Sequence, residues 1–285
     1  MYYYHELNPI IFSIGPISLY WYGMMYVLSF IYAIRMITYH NINYSNNIFL
    51  NYKDLENLLC LCFLGILLGG RAGYVLFYQW SFFSQHLLKI LNIWEGGMSF
   101  HGGLIGVITA IKIFSYKKQK SFLMITDIIV PTVPFGLGCG RLGNFINGEL
   151  WGRVTTDVPW AMFFPKSINQ DLISLNTNYS TEWQELFDMY GALPRHPSQL
   201  YEMFLEGIIL HIIINKLTKK FKPTGYISGL FLISYGILRI TAEFFREPDE
   251  QIGLFINTMT LGQILSCPMI IIGFVITCGF FRPKN

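Results

Sequence analysis

Apolar residues gather in seven stretches along the chain, over positions 17–39, 55–77, 99–114, 125–145, 200–217, 227–245 and 261–281. A bilayer core of ~30 Å is crossed by about 20 helical residues, and most of these stretches approach that length. The third and fifth are short, and the fourth contains Pro131 and Pro134, so the pattern fixes their ends least. Helices are expected because a backbone in lipid must satisfy its own N–H and C=O groups, and the ten-residue alternation of a membrane strand is absent. The pattern therefore predicts an all-α polytopic membrane protein. It has seven transmembrane helices in a single integral membrane domain, residues 1–285, with a small extracytoplasmic subdomain, 145–196, between helices four and five. The Asn-rich stretches 41–51 and 169–178 read as polar loops.

Composition agrees with that class. Hydrophobic residues make up 53% of the chain and charged residues only 13%, against about 25% charged in a soluble domain; the mean hydropathy is +0.42. Basic residues set the orientation. Lys53, then Lys117, Lys118 and Lys120, then Lys216, Lys219, Lys220 and Lys222, and last Arg282 and Lys284 fall in alternate connections, which are expected on the cytoplasmic side. The other connections carry Glu95, Asp157, Asp171, Glu182, Glu185, Asp188, Glu247, Asp249 and Glu250. The N-terminus is thus expected outside and the C-terminus inside. Residues 1–16 lack a basic start and a small-residue cleavage site, so no cleaved signal peptide is expected. The net charge of +3 is accounted for by this sidedness, and nothing suggests a groove for nucleic acid.

Cys60, Cys62, Cys139, Cys267 and Cys278 lie in or beside apolar stretches without CxxC or zinc-type spacing, and read as small buried hydrophobes. No long internal repeat of the kind many transporters carry is visible. Gly65, Gly69 and Gly73, Gly102 with Gly106, and Gly136 with Gly140 stand four apart, the spacing that lets helices pack closely. Gly140 and Gly143 flank Arg141 and could instead open backbone space for a ligand.

Depth along the stretches brings out the candidate chemistry. At ~1.5 Å per residue, Arg71, Arg141, Arg239 and Glu243 fall toward the outer ends of their helices. Tyr22, His101, His196 and Glu202 lie near the starts of helices that descend from outside. Ionisable groups at membrane depth are costly and mark functional sites by default. The plain alternative is a set of structural ion pairs, such as Arg239 with Glu243 at i, i+4.

The segment from Gly140 to Gly152, Gly-Arg-Leu-Gly-Asn-Phe-Ile-Asn-Gly-Glu-Leu-Trp-Gly, resembles the signature of bacterial prolipoprotein diacylglyceryl transferases at every position. The likeness continues in family order through Trp21-Tyr22-Gly23, Gly69-Gly70-Arg71, the run from Gly97 to Gly103, the run from Arg195 to Glu202, Tyr235-Gly236 to Arg239, and Glu243 to Arg246. It covers nearly the whole chain.

The resemblance implies a specific reaction in the bacterial plasma (inner) membrane. The diacylglyceryl group of phosphatidylglycerol passes to the lipobox cysteine thiol of a prolipoprotein signal peptide, a thioether forms and glycerol phosphate leaves. The partners implied are phosphatidylglycerol, the prolipoprotein and the lipid bilayer, with no nucleic acid. The acceptor cysteine belongs to the substrate, and nothing calls for a metal or an organic cofactor. Arg141 and Arg239 correspond to the family's phosphate-facing arginines, a task that suits a planar, always-charged guanidinium. His101 is the candidate base, because a neutral imidazole accepts a proton near working pH. Tyr22, Asn144, Glu149, Gly152, Tyr235, Glu243 and Arg71 are expected to bind substrate or orient the arginines.

Two other classes compete. A lipid transporter would also line an outer cavity with arginines, and covalent product separates the two. An intramembrane serine protease is prompted by Gly97-Met98-Ser99-Phe100-His101, which fails the GxSxG elbow because His101 stands at the second glycine. An HExxH zinc site is absent.

Overall fold

The computed structural model of the protein describes residues 2–15, 17–43, 50–92, 96–177, 180–218, 223–248 and 258–279. Lys219, Lys220, Lys222, Arg282 and Lys284, and Glu95, Asp249 and Glu250 on the other side, lie outside the described residues, so part of the charge asymmetry does too.

The chain opens with strands β1 (Tyr3–Tyr4), β2 (Ile10–Ile14) and β3 (Ile17–Tyr20), followed by helices α1 (Trp21–Asn43), α2 (Tyr52–Phe77), α3 (Trp80–Phe83) and α4 (Phe100–Lys118). Next come α5 (Phe122–Ile129) and α6 (Val133–Asn147), joined through a 3-10 turn at Val130–Thr132. Strand β4 (Met162–Phe163), α7 (Ile168–Thr177), α8 (Thr181–Tyr190) and β5 (Pro194–Arg195) form the 145–196 connection. Helix α9 (Ser198–Glu202) runs through a π-helical segment, Met203–Ile209, into α10 (Leu210–Thr218), and α11 (Tyr226–Glu243) and α12 (Leu261–Thr277) complete the chain.

Each expected span contains helix, but only two helices are long and apolar enough by length and composition to cross a membrane: Tyr52–Phe77 and Phe122–Asn147 among the described residues. Leu261–Thr277 is a shorter apolar helix. The remaining helices carry polar groups inside the stretch: His101 in α4, Glu202 and Glu206 around the π segment, and Arg239 and Glu243 in α11. The first expected span starts too early, since Ile17–Tyr20 pairs as a strand with β2. A run of Ile, Ser, Leu and Tyr suits a strand as well as a helix, and periodicity cannot separate the two over four residues. The expected loop at 169–178 is also corrected: it is helix α7, held by burial of Asp171 and Leu175.

Packing divides the chain into two compact units, one of Met1–Ala33, Val130–Lys222 and Tyr226–Asn285, the other of Ile34–Ile129 and Pro223–Gly225. The smaller unit is built on α2 and α4. Ser99 caps α4 by accepting from the Gly102 N–H, and Lys118 at the other end pairs with Asp54 in the first turn of α2 at 2.5 Å, so the helices run antiparallel. Their backbones touch. A Cβ added to Gly65 would sit 2.6 Å from the Gly106 carbonyl oxygen, and one on Gly69 would meet the Gly102 carbonyl.

In the larger unit a second close approach joins α6 to the π segment: a Cβ on Gly207 would stand 2.7 Å from Gly138 Cα. The pairing expected from Gly136 and Gly140 is not the contact used, since Gly140 faces open space. Leu210, Ile214 and Ile227 form a buried apolar cluster beside it. The 145–196 connection is folded rather than loose. β4 pairs with β1 and β5, and Arg195, fully buried, binds Asp171 at 2.7 Å, the Gly152 carbonyl at 3.0 Å and Glu247 at 2.8 Å. The expected burial of the cysteines is not observed. All five are free; Cys60, Cys267 and Cys278 are exposed, and Cys62 and Cys139 are half-buried.

Candidate active site

Three arginines and three glutamates meet inside the larger unit. Arg141 on α6 pairs through Nε with Glu202 Oε2 at 3.0 Å and through Nη2 with Glu206 Oε2 at 3.4 Å. Arg239 on α11 reaches Glu202 Oε1 at 2.6 Å, Glu206 Oε1 at 3.1 Å and Glu243 Oε2 at 2.8 Å. Arg246 adds a contact to Glu202 Oε1 at 3.3 Å. Glu202 and Glu206 are completely buried. A buried carboxylate without a partner is strongly destabilising, so the arginines and glutamates hold each other in place.

The consequence for chemistry is rigidity with spare capacity. A guanidinium offers five N–H groups, and the two carboxylates engage only Nε and Nη2 of Arg141, leaving Nη1 outside both pairs. Its side chain keeps 16% exposure, against none for Glu202. Arg141 can therefore meet an anionic oxygen from outside the cluster without releasing its anchors.

The signature segment closes α6 and folds back over it. Gly148 terminates the helix in the left-handed region at φ 61°, its N–H donating to the Asn144 and Phe145 carbonyls, as helix-ending glycines do. Glu149 then returns its N–H to the Asn144 carbonyl at 3.1 Å, and its carboxylate accepts from the Asn144 and Asn147 side chains at 3.1 and 3.2 Å. Gly152 lies where the chain threads between two backbones: its N–H donates to the His196 carbonyl at 2.9 Å, and a Cβ there would press on the carbonyl oxygens of Phe245 and His196 at 2.5 and 2.6 Å. The position admits no side chain. Gly143 gives room to the Tyr22 ring rather than to a ligand, with a Cβ there only 2.6 Å from Tyr22 Cδ2.

Tyr22 stacks edge-on to Tyr26, and Tyr235 stacks on Phe231 within electrostatic range of Glu206 and Arg239. His196 sits beside Tyr201, its Nδ1 3.1 Å from the hydroxyl, and that hydroxyl accepts from Trp160 Nε1 at 2.6 Å. Burial holds the His196 ring below the usual imidazole range, opposed in part by Asp157.

Arg71 and His101 belong to the smaller unit. Arg71, expected to bind substrate, is engaged with backbone carbonyls of its own unit. Its Nε donates to the Ile90 carbonyl at 2.8 Å, Nη1 to Gly96 and Gly97 at 2.6 and 3.2 Å, and Nη2 to Lys89 and Asn92 at 2.8 and 3.1 Å. All five donors are spent on the connection that leads into α4, and the guanidinium lies over the Phe83 ring at 5.0 Å. Arg71 is a loop-holding residue. His101, in the first turn of α4, is exposed, and among the described residues its only recorded contact is an edge-on one with Phe100.

Glu206 and Arg246 were not among the expected site residues. Glu206 had a visible signal, a second carboxylate four residues after Glu202 inside the apolar stretch 200–217.

Comparison with known proteins identifies the chain's relatives. The profile of the family described as prolipoprotein diacylglyceryl transferase matches residues 9–278. A phosphatidylglycerol–prolipoprotein diacylglyceryl transferase of Blochmanniella floridana is 60% identical over 283 residues, covering 99% of each chain. The protein of that name from Sodalis glossinidius is 52% identical over 279 residues, 97% of this chain and 94% of its own. That of Yersinia pestis is 51% identical over 277 residues, with the same coverages. With a full-length match of this kind around a buried arginine–glutamate cluster, the chain is a transferase and belongs to the prolipoprotein diacylglyceryl transferase family.

Proposed function

We propose that the protein transfers the diacylglyceryl group of phosphatidylglycerol to the lipobox cysteine of prolipoproteins, the first step of lipoprotein maturation. The thiol gives up its proton to a base, and the sulfur attacks the glycerol carbon that carries the phosphate. The carbon–oxygen bond breaks, its electron pair leaves with the phosphate, and the products are a thioether and glycerol phosphate. No oxidant or reductant is needed. Arg141 and Arg239 neutralise the phosphate as it departs, and charge fixed in advance in a water-poor site is worth most at that moment. His101 takes the thiol proton. Its imidazole has no carboxylate partner among the described residues, which leaves it available as an acceptor.

The observation that carries this reading is Arg141: a guanidinium anchored by two buried carboxylates, partly exposed, near the start of the Gly140–Gly152 segment that resembles the family signature. The test is a purified protein given phosphatidylglycerol and a lipobox peptide. The peptide should gain the mass of one diacylglyceryl unit, and a peptide with serine in place of the cysteine should gain nothing.

The reading places the chain in the bacterial inner membrane with seven spans, the N-terminus outside, the C-terminus cytoplasmic, and residues 145–196 on the outer side. Its support is the large apolar surface left uncovered by protein, including Phe63, Leu64, Leu68, Leu76 and Phe77 on α2 and Ile271, Ile272 and Phe274 on α12, more than a water-facing surface normally carries. A reporter fused after Asn285 should be active in the cytoplasm, and a tag near Asn176 should be labelled from outside. The reverse labelling would refute the orientation.

A further inference from the structure

The site contains a carboxylate that the reaction as written does not use. Glu206 is completely buried, touches both arginines, and has one oxygen for each: Oε2 faces Arg141 Nη2 at 3.4 Å and Oε1 faces Arg239 Nη1 at 3.1 Å. Glu202 also joins the two arginines, but shares its Oε1 between Arg239 and Arg246 at 2.6 and 3.3 Å. Glu206 instead offers one oxygen to each of these two arginines, so it is placed to hold them at a fixed separation.

The backbone around Glu206 is shaped for this. It lies in the π-helical segment Met203–Ile209, a rare local widening of the helix that is frequently found at functional sites. The next residue, Gly207, is pressed against Gly138 so closely that a Cβ on either would intrude, at 2.7 and 3.1 Å from the other's Cα. Gly138 is one helical turn before Arg141. The glycine contact therefore fixes the depth of Glu206 relative to Arg141, while Ile214 and Leu210 further along the same helix fix its approach to α11 through Ile227.

We propose that Glu206 is a positioning residue for the transfer reaction: it sets the spacing of the Arg141 and Arg239 guanidiniums so that both address one departing phosphate. The proposal rests on the transferase reading above. Two cations held near each other repel, and without the carboxylate between them each would turn toward whichever of Glu202 or Glu243 remained. Positive charge would persist, but its geometry would not match a tetrahedral phosphate, and preorganisation is the part that lowers the barrier.

The test compares Glu206→Gln with Glu206→Asp. Glutamine keeps the volume and removes the charge, whereas aspartate keeps the charge and shortens the arm. If Glu206 positions the arginines, Glu206→Gln should lower single-turnover transfer by about 10- to 100-fold, the usual loss on removing an outer partner of a site, and Glu206→Asp should recover part of it. Phosphatidylglycerol binding should weaken less than the chemical step. A residue that merely fills space gives the opposite order, with glutamine active and aspartate impaired. That order, or wild-type turnover in Glu206→Gln, overturns the proposal. Should Glu206→Gln fail to insert and fold, Glu206→Asp is read by the split between binding and chemistry: an undiminished single-turnover rate, or a loss of phosphatidylglycerol binding as large as the loss in rate, overturns the proposal. The wild-type protein in the same assay separates the two levels of inference, because absence of any transfer there refutes the transferase reading itself.

Discussion

Replacing Arg141 by lysine should cut transfer by about 10²- to 10³-fold in a protein that still inserts and folds, the range seen when one preorganised donor to a developing anion is removed. The ammonium keeps the charge, so an effect of charge alone would leave most activity in place. What lysine lacks is the fork. In the native site one guanidinium reaches Glu202 at 3.0 Å and Glu206 at 3.4 Å and still presents Nη1 elsewhere. A single ammonium centre cannot hold two buried carboxylates in those directions and bind a phosphate on a third side. Arg141→Gln should be worse, because it leaves Glu202 and Glu206 short of a counter-charge and removes the charge that offsets the anion's desolvation. Measuring lipid affinity and single-turnover rate separately distinguishes ground-state recognition from stabilisation of the leaving group. Wild-type values of both in folded Arg141→Lys would refute the role given to Arg141.

Substitution of His101 by glutamine should remove about 10²- to 10⁴-fold of the rate, the usual worth of general-base assistance. The residue sits in the first turn of a helix whose cap belongs to Ser99 and whose packing belongs to Gly102 and Gly106. No tertiary hydrogen bond to the imidazole is recorded among the described residues, so glutamine should leave the melting temperature nearly unchanged. The loss should shrink when the acceptor thiol is made more acidic, since a thiol already ionised needs no base. A folded His101→Gln protein with near-wild-type turnover toward an ordinary thiol would assign the proton to another group.

The parts of this account visible in the sequence are those written in local periodicity. Arg239 and Glu243 stand at i, i+4, and their ion pair at 2.8 Å follows from helix geometry. Gly65, Gly69, Gly102 and Gly106 announce a close helix contact by spacing, and they make one. What was hidden depends on tertiary partners. Ile17–Tyr20 merges with the apolar run after it, and only pairing with Ile10–Ile14 makes it a strand. Asparagines suggested a loop at 169–178, but the Asp171 ion pair with Arg195 and the burial of Leu175 hold a helix there. Arg71 read as a residue that binds substrate or orients the other arginines, because an arginine deep in an apolar stretch is costly without a partner. The cost is met instead by five backbone carbonyls of the adjoining connection, which no spacing rule foretells. Gly152 was legible as a signature position, though not as the crossing point of two backbones.

The central claim is that this protein moves a diacylglyceryl group and leaves the phosphate behind. The direct measurement follows peptide mass and free glycerol phosphate together, using purified protein in phosphatidylglycerol-containing bilayers with a lipobox peptide. One diacylglyceryl unit should appear on the cysteine sulfur for each glycerol phosphate released, with no phosphorus on the peptide. An unmodified peptide while phosphatidylglycerol crosses the bilayer, or a modified peptide that retains phosphate, would contradict the account.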